Sequence, residues 1–454
     1  MRKGFCLGIL LVFTLAVPGF AQEKVVLTLE ESIQRALEHS LDAQIVRTEM
    51  ETAQLELDKQ EATFKPQVSV SASPLQWKGD PELLEYRPGV NLDATLHTPG
   101  GTGITVSAAE EKEENEKMEA RFTLGITQQV TSGPQYDSSS ISLEKSRLGL
   151  EQEKLTSEEE IEGVKLEVMA TFYGILRQER ERELRELSLQ QAEENLRIVE
   201  DKREEGMANQ LDVLDAEMQR IEAEEALFQA KSNLLQSMID LKELVGINLK
   251  EEIVLENKSS TEYHSLTIEL EEALRQALEN NLQISQQELA VKMCQLDCTV
   301  SKAEALPSLN VFADYSYNES GLEEEEYRVG MLVEIPLLDG GEGKTNIRIA
   351  EQKVKKAKLN LEKLKQDVCG MVREYFYELK GMEKRVTSLK LSQEKKRRAL
   401  RIIEEMLSEG AATTQEMREW KISFIQTEID YLQALVDYKV VKAELLKSIG
   451  RRIL

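Results

Sequence analysis

Two stretches of this chain are the same turn written twice. The first runs from Leu196-Arg-Ile-Val-Glu200 through Gly206-Met-Ala-Asn209 to Asp212 and Asp215. The second runs from Leu400-Arg-Ile-Ile-Glu404 through Gly410-Ala-Ala-Thr413 to Glu416 and Glu419. Leu, Arg, Ile, a second β-branched residue, Glu and Gly recur at one offset of 204, from 206 to 410. Gly206 and Gly410 stand where a helix end needs a left-handed residue, which Gly adopts without a Cβ penalty. Asn209 and Thr413 follow as N-caps of a returning helix. Thr413 with Glu416 is a capping box, and Asn209 with Asp212 is a close variant. A chain written this way folds into two helical hairpins of equal design.

The duplication extends beyond the turns. Leu29-Glu-Glu-Ser-Ile-Gln-Arg-Ala-Leu-Glu38 matches Leu270-Glu-Glu-Ala-Leu-Arg-Gln-Ala-Leu-Glu279 at an offset of 241, as Pro66 matches Pro307. Phe172-Tyr173 matches Phe376-Tyr377, and Val245-Gly246 matches Ile449-Gly450, at 204. The offset changes once, so the first half carries roughly 37 extra residues between Pro66 and the long helices. Each half predicts one helix, then short alternating segments, then a very long helix and its return. The helices fall at about 28–64, 137–205 and 209–245, and again at about 268–305, 344–409 and 413–449. A long helix spans about 100 Å and each shorter one about 55 Å, so two short helices end to end match one long arm. Ile347, Ala350, Val354, Ala357, Leu361, Leu364, Val368, Met371 and Tyr375 alternate spacings of three and four, a coiled-coil seam. Ile141, Leu148 and Leu155 step by seven. Helices this long and polar have too little apolar area to stand alone, which implies lateral packing in an oligomer.

The segments between helices alternate like strands. In 308–318, Leu309, Val311, Ala313, Tyr315 and Tyr317 face one side and polar residues the other, with Phe312 the exception. In 327–337, Tyr327, Val329, Met331, Val333, Ile335 and Leu337 share a face. Val68, Val70 and Ala72 alternate with serines, and Phe122, Leu124, Ile126 and Val130 with Thr, Gly and Gln. The extra residues add a hairpin at about 88–109, turned at Pro99-Gly-Gly-Thr-Gly103. It can join the same sheet or form a flap. Such dyads fit a transmembrane β-barrel and equally a soluble antiparallel sheet with one wet face. Four strands, or six with the hairpin, cannot close a membrane barrel alone, and lipid forbids open edges, so several protomers would share one barrel.

Composition excludes other classes. Net charge is −26, which argues against a nucleic-acid binder. Residues 1–21 read as a signal peptide, with Arg2 and Lys3, an apolar core from Leu7 to Val17, and Gly19-Phe20-Ala21 at the cleavage site. No later run of about 20 apolar residues predicts a membrane helix. Cys294, Cys298 and Cys369 make a poor disulfide framework. His39, His97 and His264 show no metal spacing. Gly341-Glu-Gly-Lys-Thr345 resembles the end of a phosphate loop, but Leu338 stands where the first Gly must be. Glu110 to Glu116 reads as a solvated acidic loop. No catalytic, cofactor or metal site emerges, and an enzyme is not expected.

The duplicated Leu-Glu-Glu opening, Ile335-Pro-Leu-Leu-Asp-Gly-Gly341, the Phe-Tyr pairs and the Gly-turn-Asp-Val-Leu-Asp tip together resemble the TolC-type outer-membrane efflux proteins over nearly the whole mature length. That resemblance implies a mainly α fold with a β-barrel part. Duplicated helical hairpins would form a periplasmic tunnel, and strands from three protomers one outer-membrane barrel. It divides the chain into a first repeat at 22–250 and a second at 251–454. It implies a homotrimer in a diderm bacterium, with a periplasmic adaptor and an inner-membrane ABC or proton-driven transporter as partners. The function implied is a passive exit duct for efflux or type I secretion, with cargo of small molecules, metals or proteins left open. A tip position carrying aspartates rings the closed entrance in the family. Asp212 and Asp215 fall on that pattern, with Glu416 and Glu419 as counterparts, although the family shows the Asp pattern most clearly in its second half. Gly206, Met207, Ala208, Asn209, Gly410, Ala411, Ala412 and Thr413 resemble adaptor-contacting tip residues. The same residues also fit ordinary turns and helix-start acids. The rival class is a secreted coiled-coil scaffold with a soluble β cap.

Overall fold

A computed structural model describes residues 25–73, 77–78, 85–86, 89–111, 119–130, 138–256, 265–319, 323–335 and 338–452. The signal-peptide expectation for 1–21 lies outside these residues, as do His264 and Leu337. The first repeat contains β1 (Val25–Leu27), α1 (Leu29–His39), α2 (Leu41–Ala62), β2 (Gln67–Ser73), β3 (Trp77–Lys78), β4 (Glu85–Tyr86), β5 (Gly89–His97), β6 (Thr102–Glu111), β7 (Glu119–Gln129), α3 (Ser138–Glu204) and α4 (Gln210–Leu244). The second contains β8 (Ile253–Leu255), α5 (Leu270–Asn280), α6 (Leu282–Glu304), β9 (Ser308–Glu319), β10 (Glu323–Glu334), α7 (Glu342–Ser408) and α8 (Thr414–Ser448). Both long helices have 67 residues and both returns have 35, so the two hairpins are equal.

The helices expected at 28–64 and 268–305 are each two helices. The first breaks at Ser40 (ψ 152°), whose side chain accepts from the Ala43 amide at 3.0 Å and caps α2. The second breaks at Asn281 (ψ 127°), whose side chain accepts from the Ile284 amide and donates to the Ser448 carbonyl at 2.9 Å. Ser and Asn compete with the helix for backbone groups, and here burial lets them win. The break recurs at the same offset of 241, so it belongs to the repeat. A second feature beyond the sequence pattern is the parallel pairing of β1 with β8, Val25 opposite Ile253, which ties the start of one repeat to the start of the other.

Four helices lie side by side at each level. The long arm α3 packs against α4 toward the tip and against α2 toward the sheet, and α7 packs likewise against α8 and α6. Contacts of α3 with α8 and α6 join the repeats. One core gathers Leu27, Ala36, Val168, Phe172, Tyr173 and Leu241, and the other Ala273, Val368, Val372, Leu379, Tyr438 and Leu445. The expected seam on α7 is buried or half-buried throughout, and past Val368 its most buried row continues as Val372, Leu379 and Val386 in steps of seven. Ile141 and Leu148 are buried on α3 and Leu155 half-buried. The return helices end under the broken helices. At Gly450 (φ +71°) a Cβ would collide with the Asn280 backbone, and at Gly246 one would meet His39 Cβ at 2.8 Å.

Six strands form one antiparallel sheet in the order β10-β9-β7-β6-β5-β2. The extra hairpin is β5 and β6, and it sits inside this sheet. Glu110 and Glu111, expected in a loop, end β6, where Glu110 pairs with Ala120; residues 112–116 fall outside the described residues. The last strand starts earlier than expected, because β10 stays paired with β9 out to Glu323 opposite Glu319. Directly paired residues share a face. Val68, Ala94, Val106, Leu124, Tyr315 and Tyr327 form one row across all six strands. The next row is Ser69, Asp93, Ser107, Thr123, Ser316 and Glu326. Phe312, the exception to the pattern, lies on the polar face over Gly330, where a Cβ would meet its ring at 2.6 Å. A glycine opposite an aromatic ring is a packed pair, not a break in the pattern.

Gly450→Ala should destabilise the protein more than Gly410→Ala, because both strain a left-handed backbone by about 1–2 kcal/mol but only Gly450 meets another backbone. Chemical denaturation of both variants tests the order. Lys439 on α8 donates to the Tyr173 hydroxyl and lies 4.3 Å from that ring's centre. Burial, aided by Lys442 and opposed by Glu30, lowers its pKa to about 8. An unfolded lysine titrates near 10.5, so between these pH values the unfolded chain binds more protons. Stability should therefore rise with pH through that window, and Lys439→Met should reduce the rise in melting temperature.

Candidate functional site

The hairpin tips are built by matching backbone bonds. In the first, Gly206 (φ +76°) donates to the Arg203 carbonyl at 3.0 Å, and Met207 donates to that of Lys202 at 2.8 Å. In the second, Gly410 (φ +74°) donates to Leu407 at 3.1 Å and Ala411 to Met406 at 2.8 Å. These are Schellman closures, which satisfy the last carbonyls of each long helix. Ala208 and Ala412 are half-buried, while the other tip residues, Gly206, Met207, Asn209, Gly410, Ala411 and Thr413, are exposed.

Both caps are complete. The Asn209 side-chain oxygen accepts from Leu211 at 2.7 Å and Asp212 at 3.0 Å, and the Asp212 carboxylate accepts from the Asn209 amide at 2.7 Å. The Thr413 hydroxyl accepts from the Glu416 amide at 3.1 Å. The Glu416 carboxylate accepts from the Thr413 amide at 2.8 Å and its hydroxyl at 3.0 Å. The Thr413 amide, and then its hydroxyl, hold the Glu416 carboxyl below its ordinary pKa. Asp215 is exposed on the next turn, and Glu419 accepts from Gln415 at 3.1 Å.

The four carboxylates form two pairs, one on each tip, and the tips are staggered. Arg418 on α8 pairs with Glu194 on α3, twelve residues and about 18 Å of helix short of Gly206. A groove lined by Glu194, Asn195, Gln219 and Arg418 together with Ile198 and Ala223 runs between them. The Arg418–Glu194 pair has no signal in the sequence, because its members are 224 residues apart. Among the described residues no group of three or more His, Cys, Asp and Glu could hold a metal. Cys298 is buried, and Cys294 and Cys369 are half-buried free thiols. The segment that resembles a phosphate loop is a helix start. The Asp339 carboxylate accepts from the Gly341 and Gly343 amides at 2.8 Å each, which holds its pKa low and occupies those donors.

Duplicated hairpins with acidic tips thus carry an open sheet with one apolar and one polar face. Residues 273–451 match the family model described as outer membrane efflux protein. Outer membrane protein TolC of Vibrio cholerae is 26% identical over 226 residues, which cover 47% of this chain and 51% of that protein. The chain thus spans about half the length of the curated relative it matches. The CmeC outer membrane channel of Campylobacter jejuni superposes with a TM-score of 0.65 at 15% identity, covering 93% of this chain and 85% of that one. The outer membrane protein VceC of Vibrio cholerae gives 0.63 at 13% identity, covering 94% and 97%. The fold is that of these channels.

Thr413→Ala should cost about 1 kcal/mol of stability at neutral pH by removing the cap. Glu416 is held below its unfolded pKa, so its part is present above the ordinary carboxylate range and is lost as pH falls through the folded value. Wild type and Glu416→Gln should therefore converge in melting temperature on acidification and differ at pH 7.

Proposed function

We propose that three copies of this chain close into an outer-membrane exit duct with a periplasmic helical tunnel, passive in itself. A periplasmic adaptor and an inner-membrane ABC or proton-driven transporter engage it at the tips. The carrying observation is a pair of unpartnered edges. The face of α4 away from α3 exposes Leu211, Leu214, Met218, Ile221, Phe228 and Leu235 at coiled-coil spacing. The equivalent face of α8 is buried within the chain, with Ile425 2% and Leu432 7% exposed. On the other edge, Tyr377 of α7 is 66% exposed, whereas its counterpart Tyr173 is buried against Lys439. Lys439 has Leu235 as its counterpart at the offset of 204. The contact of α3 with α8 inside one chain is therefore a template for α7 against α4 of the next, with Tyr377 meeting Leu235. Repetition of that contact around an axis makes a ring, and the family favours three copies. The apolar rows of the sheet then face lipid and the polar rows the lumen, as an outer-membrane barrel requires.

In such a ring Asp212, Asp215, Glu416 and Glu419 crowd carboxylates around the tunnel entrance, where like charge attracts cations. Small tip residues from Gly206 to Asn209 and from Gly410 to Thr413 leave room for an adaptor to approach closely. The duct serves efflux or type I secretion, with substrate choice belonging to the pump.

The purified protein in a planar bilayer should form discrete, cation-selective channels, and paired cysteines at Tyr377 and Leu235 should cross-link up to trimers. A protein that stays soluble and does not insert would be a scaffold instead. Replacing Asp212 and Glu416 with Ala should raise conductance and weaken block by multivalent cations. Unchanged conductance and block would leave the two carboxylates a capping role only.

A further inference from the structure

We propose that the inserted hairpin widens the barrel: each protomer supplies six strands, and three copies close an eighteen-stranded pore, where two equal repeats would make twelve. This rests on the trimeric membrane duct proposed above. The second repeat supplies two strands, β9 and β10. The first supplies four, because β5 and β6 lie between β2 and β7.

Three observations place the insertion in the barrel wall. First, β5 and β6 are fully laddered on both sides, β5 to β2 and β6 to β7. Second, they keep the facing code of their neighbours. Ala94 and Val106 continue the apolar row from Val68 to Leu124, and Asp93 and Ser107 continue the polar row from Ser69 to Thr123. A water-exposed flap has no reason to hold that register, whereas a one-residue slip in a barrel would turn polar groups to lipid. Third, the parity closes. With six antiparallel strands, β2 and β10 run in opposite directions, so β2 of one copy pairs antiparallel with β10 of the next. Both are edges of the sheet, with Val68, Val70, Val329 and Met331 exposed.

The dimensions agree. At about 4.8 Å between strands and a tilt near 40°, six strands span about 38 Å of circumference and four about 25 Å. The four helices beside them, α2, α3, α6 and α7, span about 38 Å at 9–10 Å between axes. The wider barrel continues the helical ring without a step, and its diameter is about 1.5 times that of twelve strands at equal tilt. Barrels of 16–18 strands hold an aqueous channel. The size limit on cargo then falls on the helical tunnel.

Single tryptophans read by brominated acyl chains test this in the full-length trimer in lipid vesicles, against the wild-type background from Trp77 and Trp420. Val106→Trp on the insertion and Leu124→Trp on β7 should be quenched equally, and Ser107→Trp should not. Quenching at Leu124→Trp without quenching at Val106→Trp would show a barrel that excludes the hairpin and overturn the inference alone. Absence of quenching at both would overturn the membrane barrel and this inference with it. Quenching at all three would also overturn the assignment to the barrel wall. Polymer exclusion gives an independent reading. Replacing residues 74–118 by a three-residue turn brings β2 beside β7 with Val68 opposite Leu124. The wild-type pore should admit polymers about 1.5-fold wider than that variant from the barrel side, and equal limits would overturn the widening.

Discussion

A helix of about 100 Å with a narrow apolar stripe cannot be stable on its own, and most of this architecture is a response to that fact. Each long helix takes its return helix on one flank near the tip and a shorter helix near the sheet. That leaves the opposite flank of α3 to be covered by α8 and α6, the second repeat of the same chain. The flank of α7 that corresponds to it has no such cover within the chain. Ile349, Tyr377, Leu391 and Ile402 stay exposed there. Duplication thus solves the problem once inside the chain and leaves the corresponding flank of α7 uncovered, which is the asymmetry between Tyr173 and Tyr377.

The sheet obeys the same logic with a period of two. One apolar row and one polar row cross all six strands; Phe312 departs, sheltered by Gly330, as do Leu332 opposite Asn310 and, on the apolar face, Gln128 opposite Val311 and Glu325 opposite Tyr317. Unpaired edges are costly in lipid, so in the proposed barrel the exposed edges β2 and β10 would need a partner. An insertion in such a sheet is tolerated when it adds an even number of strands in register, because direction and facing are then preserved.

At the tips two effects oppose each other. The capping bonds from Thr413 favour the ionised form of Glu416 and hold its pKa down. Confinement of like charges around one opening would push carboxylate pKa values up. A carboxylate that also caps a helix keeps its charge more firmly than a lone acid would. The cap and the proposed charged ring are therefore compatible uses of the Glu416 side chain.

The amino-acid sequence by itself determined the two hairpins, their tips, the equality of their arms and the facing of each strand. These depend on local signals: a glycine at a left-handed position, a capping residue three before an acid, and periods of 3.5 and 2. It also placed Asp212 and Glu416 at helix starts. Tertiary structure alone decided the breaks at Ser40 and Asn281, since Asn281 leaves the helix for the carbonyl of Ser448, 167 residues away. It decided the parallel pairing of β1 with β8, the Arg418–Glu194 pair and the depressed pKa of Lys439, all of which join residues with no local relation. It also decided that the inserted hairpin belongs to the sheet, because period-two alternation fixes which side a residue faces but not which strand it pairs with.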